Sequence, residues 1–110
     1  MIADEVMVLL PVGKSADLGR CFGRYPEIHR AVLFGSRAMG THRANSDIDL
    51  CLDAPELPFS DFLRLSSKLE ELFFPYSLDL VLRHHIDNPE FLNHIERVGV
   101  TIYEAKQPEL

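Results

Sequence analysis

The chain has 110 residues, 46% of them hydrophobic and 25% charged. That length and balance suit one domain with a packed core and exclude a disordered chain. A net charge of −6 argues against a long nucleic-acid track, which needs a basic surface. It is compatible with nucleotide binding through a cation that bridges carboxylates to phosphates, and loosely with a basic protein partner.

No apolar run approaches the length of a membrane span, and Asp4 and Glu5 stand where a signal peptide would be basic. These features predict a cytoplasmic protein. The two cysteines, Cys21 and Cys51, lack metal-site spacing and read as small core residues.

Met1–Leu10 is apolar with an acidic interruption and is either a short helix or an added strand; its length does not separate the two. Ser15 is a candidate N-cap for a helix over Ala16–Tyr25, with Leu18, Cys21, Phe22 and Tyr25 sharing one face. Pro26 ends it. Ile28–Phe34 reads as a central strand, because Ala31-Val32-Leu33-Phe34 is apolar on both faces.

Gly35-Ser36 follows, then a short helix over Arg37–Gly40 and a polar loop over Thr41–Asn45. Gly35 lets a phosphate approach the backbone, and Ser36 offers a hydroxyl and an N–H where unpaired amides and the helix dipole favour an anion. Arg37 either touches a phosphate or pairs with an acid at the sheet edge. Thr41, His42 and Arg43 read as exposed loop residues near the site.

A second strand starts at Ser46. Ile48, Leu50 and Leu52 alternate with Asp47, Asp49 and Cys51, so one face is core and the other carries two carboxylates. Such neighbours repel unless a cation sits between them, and an oxygen-only donor set suits Mg²⁺.

Asp53–Pro58 is a turn. Phe59–Phe73 is a helix with a stripe of Phe62, Leu65, Leu69, Leu72 and Phe73. Ser77–Leu82 is a third strand, in which Asp79 stands alone in an apolar run. A buried carboxylate there needs a partner or a cation, which makes Asp79 a third ligand candidate. The alternatives are an edge-facing Asp79 or a salt bridge to Arg83. His84-His85 reads as a solvated loop pair, and His29 and His94 as surface residues. Asn88-Pro89 opens a helix over Pro89–Val98, with Phe91, Leu92 and Ile95 inward and Gly99 ending it. Val100–Tyr103 closes as a strand, and Ala105–Leu110 reads as a frayed tail.

The run Gly35-Ser36, some ten residues, then Asp47-Ile48-Asp49 resembles the signature of the nucleotidyltransferase superfamily related to DNA polymerase β. Arg37, Gly40, Ser46 and Leu50 also match the minimal nucleotidyltransferases of prokaryotes, and Asp79 falls where that pattern expects its third carboxylate. Met39 stands where an arginine is common. The resemblance covers about Pro26–Glu104 of a single domain spanning residues 1–110. It implies an α/β fold of the α+β type: a small mixed β-sheet flanked by helices, like a polymerase palm.

The resemblance also implies a chemistry. Asp47, Asp49 and Asp79 would hold one or two Mg²⁺ ions and act catalytically. Gly35, Ser36, Arg37 and Ser46 would bind the nucleotide phosphates. A nucleoside monophosphate, AMP from ATP or its counterpart from another NTP, would pass to a hydroxyl with release of pyrophosphate. The chain has no room for an acceptor-binding domain. The resemblance therefore implies a helical partner, either a HEPN-type toxin or a substrate-binding protein, in a homo- or hetero-oligomer. The contrasting expectation is a non-catalytic module that neutralises or stabilises a helical partner by contact.

Overall fold

A computed structural model describes residues 9–11 and 15–105. The elements are α1 (Ser15–Gly23), β1 (Arg30–Phe34), α2 (Gly35–Met39), β2 (Ile48–Asp53), α3 (Phe59–Phe73), β3 (Leu78–Leu82), a 3₁₀ turn at Arg83–His85, α4 (Pro89–Val98) and β4 (Val100–Glu104). Most of the Met1–Leu10 segment, the Ser15 cap and the tail beyond Ala105 lie outside the described residues or side chains. Among the described residues, no helix is long and apolar enough to cross a membrane.

The four strands form one mixed sheet in the order β3-β2-β1-β4. β1 is central, as its two apolar faces predict, and runs antiparallel to both β2 and β4. β2 and β3 are parallel, which requires the α3 crossover between them.

Strand alternation divides the core in two. Ala31, Leu33, Ile48, Leu50 and Leu52 face α1 and α3, whose Leu18, Phe22, Leu65, Leu69 and Phe73 are buried with them. Val32, Phe34 and Cys51 face the other way and pack under Ile95 of α4. Asp49 and Asp79 belong to that second face by the same alternation. Cys51 is thus a core residue as expected, its thiol pushed up to about 11 chiefly by burial. Cys21 is only half-buried.

The boundaries depart from the sequence reading in instructive places. The second strand starts at Ile48 rather than Ser46, so Asp47 sits at its entrance. The helix after β1 starts at Gly35 rather than Arg37, so the Gly-Ser pair forms its first turn. Asn88 caps α4 as expected, its Oδ1 accepting the N–H groups of Glu90 at 2.9 Å and Phe91 at 3.3 Å.

Gly99 follows α4 in an extended conformation, not the left-handed one of a glycine cap. It is glycine for space: a Cβ there would lie 2.2 Å from the Ile95 carbonyl oxygen and 2.6 Å from Val32. That close approach lets the chain turn from α4 directly into β4.

Candidate active site

The site is built where β1 runs into α2. Phe34 is extended, and the next residue, Gly35, has φ of 72°. A side chain is strained in that left-handed region. It would also have no space, since a Cβ on Gly35 would stand 2.3 Å from Oδ2 of Asp49. The Asp49 carboxylate therefore rests against the bare backbone of the turn where α2 begins.

The register fixes this contact. Asp49 of β2 is opposite Phe34 on one side and opposite Asp79 of β3 on the other. Paired residues on adjacent strands point to the same face, about 5 Å apart. The two carboxylates thus project side by side, and Asp47, one strand-period earlier, joins them at the entrance. The Asp49 carboxyl is held above the usual carboxylate range, first by burial, then by repulsion from Asp79 and from Asp47.

Asp79 is exposed, not buried. The desolvation reason for singling it out does not apply: β3 is the sheet edge, so Asp79 faces solvent beside Asp49. Arg83, the salt-bridge partner considered for it, pairs instead with Glu96.

Arg37 occupies neither of the positions expected of it. Its side chain is 2% exposed, the one charged residue buried among those described. Nε and Nη2 donate to the Ser46 carbonyl at 3.1 and 3.0 Å, Nη2 also to Ala44 at 3.2 Å, and Nη1 to the Leu9 carbonyl at 3.2 Å. The guanidinium lies 5.5 Å from the Tyr76 ring centroid. Arg37 is thus a strut that holds the loop before Asp47. Burial lowers its pKa from the ordinary arginine value.

Ser46 belongs to the same scaffold. Its Oγ accepts the Arg43 N–H at 2.8 Å, and its own N–H donates to the Arg43 carbonyl at 3.1 Å. Ser36 lies half-buried in the first turn of α2, and its carbonyl accepts the Thr41 N–H at 3.1 Å. The geometry therefore brings Gly35, Asp49 and Asp79 together with Asp47 near them, leaves Ser36 in the adjoining turn, and turns Arg37 and the Ser46 hydroxyl into the loop.

One residue read from sequence as a surface histidine lies beside the site instead. His94 of α4 is half-buried, edge-on to Phe34 with ring centroids 6.4 Å apart, and close enough to counter the upward shift of Asp49. The available signal was its place one turn after Phe91 on the inward face of α4. Its meaning depends on α4 leaning over the acids, which is a tertiary fact. His84 and His85 are exposed, as expected.

The donor set fits a hard divalent cation. Asp49 and Asp79 are paired across the strands with Asp47 near them, burial and then repulsion from those two acids raise the proton affinity of Asp49, and the buried Arg37 is committed to backbone carbonyls. Among the described residues, no three such groups form a ready-made metal cage. The arrangement suits a cation completed by substrate oxygens and water.

Known structures share this architecture. The chain is similar to a toxin–antitoxin crystal structure with AMP-PNP, at 22% identity and a TM-score of 0.67 over 84% of this chain and 74% of the other. It is also similar to a Shewanella oneidensis structure of a tri-AMPylated HEPN toxin in complex with its MNT antitoxin, at 18% identity and a TM-score of 0.62 over 84% and 71%. The MntA–HepT toxin–antitoxin structure matches at 19% identity and a TM-score of 0.61, with the same coverage. At these identities the likeness is one of fold. No curated protein matches the chain by sequence. A family model of polymerase beta nucleotidyltransferases matches residues 17–108. With that match across the described sheet and its acids, the chain belongs to the polymerase beta nucleotidyltransferase family.

Proposed function

We propose that this chain is the catalytic half of a cytoplasmic two-protein system that transfers AMP from ATP to a hydroxyl on a helical partner of the HEPN type. The observation that carries the reading is the lateral pairing of Asp49 with Asp79, with Asp47 beside them and the Asp49 carboxylate seated on Gly35. Two solved relatives support the choice of nucleotide and acceptor: one toxin–antitoxin structure is with AMP-PNP, and another contains a tri-AMPylated HEPN toxin.

In this reading, Asp47, Asp49 and Asp79 would hold one or two Mg²⁺ ions, which when bound neutralise phosphate charge and make the attacking hydroxyl more acidic. The backbone at Gly35 and Ser36 receives the β- and γ-phosphates. The acceptor oxygen attacks the α-phosphorus, the bond to the bridging β-oxygen breaks, and pyrophosphate leaves. Asp79, the most accessible of the pair on β2 and β3, takes the hydroxyl proton. Arg37 acts through the loop, holding Asp47 in place rather than touching phosphate.

The contrasting reading is a contact-only module that neutralises or stabilises a helical partner without transfer. Incubation with ATP labelled at the α-phosphate, Mg²⁺ and the co-purified partner separates the two. Label on the partner, lost in Asp47→Ala and Asp49→Asn with the complex intact, is the expected result. Equal labelling in those variants overturns the catalytic roles. A stable complex with no label from any NTP transfers the weight to the contact-only module.

A further inference from the structure

The sheet face opposite the carboxylates carries a second feature that nucleotidyl transfer does not use. Between α1 and α3 lies an open cavity of about 700 Å³. Arg20, Arg24, Arg64 and Lys68 line it, four of the chain's eleven lysines and arginines, although the chain has a net charge of −6. All four are exposed. Between them lie apolar surfaces of Cys21, Leu65 and Leu72, which are buried or half-buried.

The cations are only weakly committed to this chain. Arg20 meets Asp17 at 3.3 Å and Arg64 meets Asp61 at 3.3 Å, with the arginine side chains 84% and 75% exposed. Exposed pairs of this kind contribute little and are readily exchanged. Among the described residues, Arg24 and Lys68 form no ion pair. Burial raises the Cys21 thiol, and Asp17 adds to this. Lys68, Arg24 and Arg20 act in the opposite sense, so their charges converge on the cavity floor.

We infer that the α1–α3 groove docks an acidic amphipathic helical segment of a partner protein, with its carboxylates on Arg20, Arg24, Arg64 and Lys68 and its apolar side chains on Cys21, Leu65 and Leu72. A groove between two helices accepts a third helix by this mode. Charge complementarity selects a carboxylate-bearing occupant. Asp17 and Glu71 also line the cavity, so an occupant's carboxylates must fall on the four cations; Tyr25 is its single aromatic, too few for a base-stacking platform that would favour RNA. The inference does not depend on the transfer reaction.

The test uses the full chain and a fluorescein-labelled amphipathic helical peptide with a leucine stripe flanked by glutamates. A twin with lysines in place of glutamates and a single-stranded RNA oligomer are the competitors. The acidic peptide is expected to bind about tenfold or more tightly than its basic twin, with affinity falling as salt rises. Its binding should slow alkylation of Cys21 while Cys51, 2% exposed, stays silent. Arg24→Glu with Lys68→Glu should weaken binding about tenfold or more, and the milder Arg24→Gln with Lys68→Gln by less. Circular dichroism checks that both variants are folded, and ATP binding should be unchanged in them. Equal affinity for the two peptides, tighter binding of RNA, an unprotected Cys21 or indifference to the charge reversals each overturns the inference. So does a dimer of the chain that the same reversals dissociate, which would give the groove to a second copy.

Discussion

Replacing Arg37 by alanine tests whether the buried guanidinium is a strut or a phosphate ligand. The side chain donates to three backbone carbonyls, Ser46, Ala44 and Leu9, at 3.0–3.2 Å, and lies over Tyr76. A hydrogen bond from a charged donor contributes about 1.5–3 kcal/mol, but these share one side chain and do not add fully. The Ala44 carbonyl lies in an exposed loop and regains water after the substitution. Removing the guanidinium also relieves the cost of burying it, the same cost that lowers its pKa. The balance is a net loss of about 2–4 kcal/mol, which lowers the melting temperature by roughly 10–20 °C for a domain of this size. Arg37→Lys should recover only part of this, because a point charge cannot fork across three carbonyls. Thermal unfolding followed by circular dichroism gives the stability, and titration with a fluorescent ATP analogue gives the affinity. A variant that melts within about 2 °C of the parent yet fails to bind nucleotide would refute the strut and make Arg37 a phosphate ligand.

Three further outcomes follow from the site geometry. Gly35→Ala should destabilise the fold by about 1–2 kcal/mol through its left-handed backbone; it should also lower transfer roughly a hundredfold by pushing the Asp49 carboxylate aside, as seen in melting and in label transfer. Asp49 binds its proton more tightly in the folded than in the unfolded chain, so its ionisation opposes folding. Asp49→Asn should therefore raise the melting temperature at neutral pH while abolishing transfer, and the gain should vanish as pH falls below the ordinary carboxylate pKa of about 3.9. A gain that persists in acid would show that the shift is not its cause. His94→Ala should lower transfer about tenfold with little change in melting. His94→Phe, which keeps an aromatic edge on Phe34 but lacks the imidazole nitrogens, should show the same loss; full transfer in it would show that only the packing matters.

Much of the fold could be read from local pattern. The apolar run to Phe34, the alternation around Ile48, Leu50 and Leu52, and the stripe on α3 each report directly which faces are buried. Asn88-Pro89 announces a helix start through chemistry confined to three residues. The layout of the candidate site was legible where its signal was local, as in the turn at Gly35-Ser36 and the shared face of the Asp-x-Asp pair. It was misread where meaning depended on distant partners. An arginine after a Gly-Ser turn looks like a phosphate ligand until its guanidinium is found among the carbonyls of residues 9, 44 and 46. An aspartate in an apolar strand looks buried until that strand proves to be the sheet edge. The spacing of His94 after Phe91 hinted at an inward position, but its place near Asp49 follows only from the packing of α4 on Phe34.

The parallel pairing of β2 and β3 bears on how the domain assembles. β1, α2 and β2 are contiguous, so their hairpin brings the Gly35 turn and the first two acids together through short loop closures. Asp79 is brought in by the α3 crossover, a contact of about twice the sequence separation and an added closure cost of about 0.6 kcal/mol. A chain that has formed its hairpin but not yet added its edge strand therefore has its phosphate turn and two carboxylates without the third. The last strand to join the acids is the edge strand, so the grouping of Asp49 with Asp79 depends on the α3 crossover being in place.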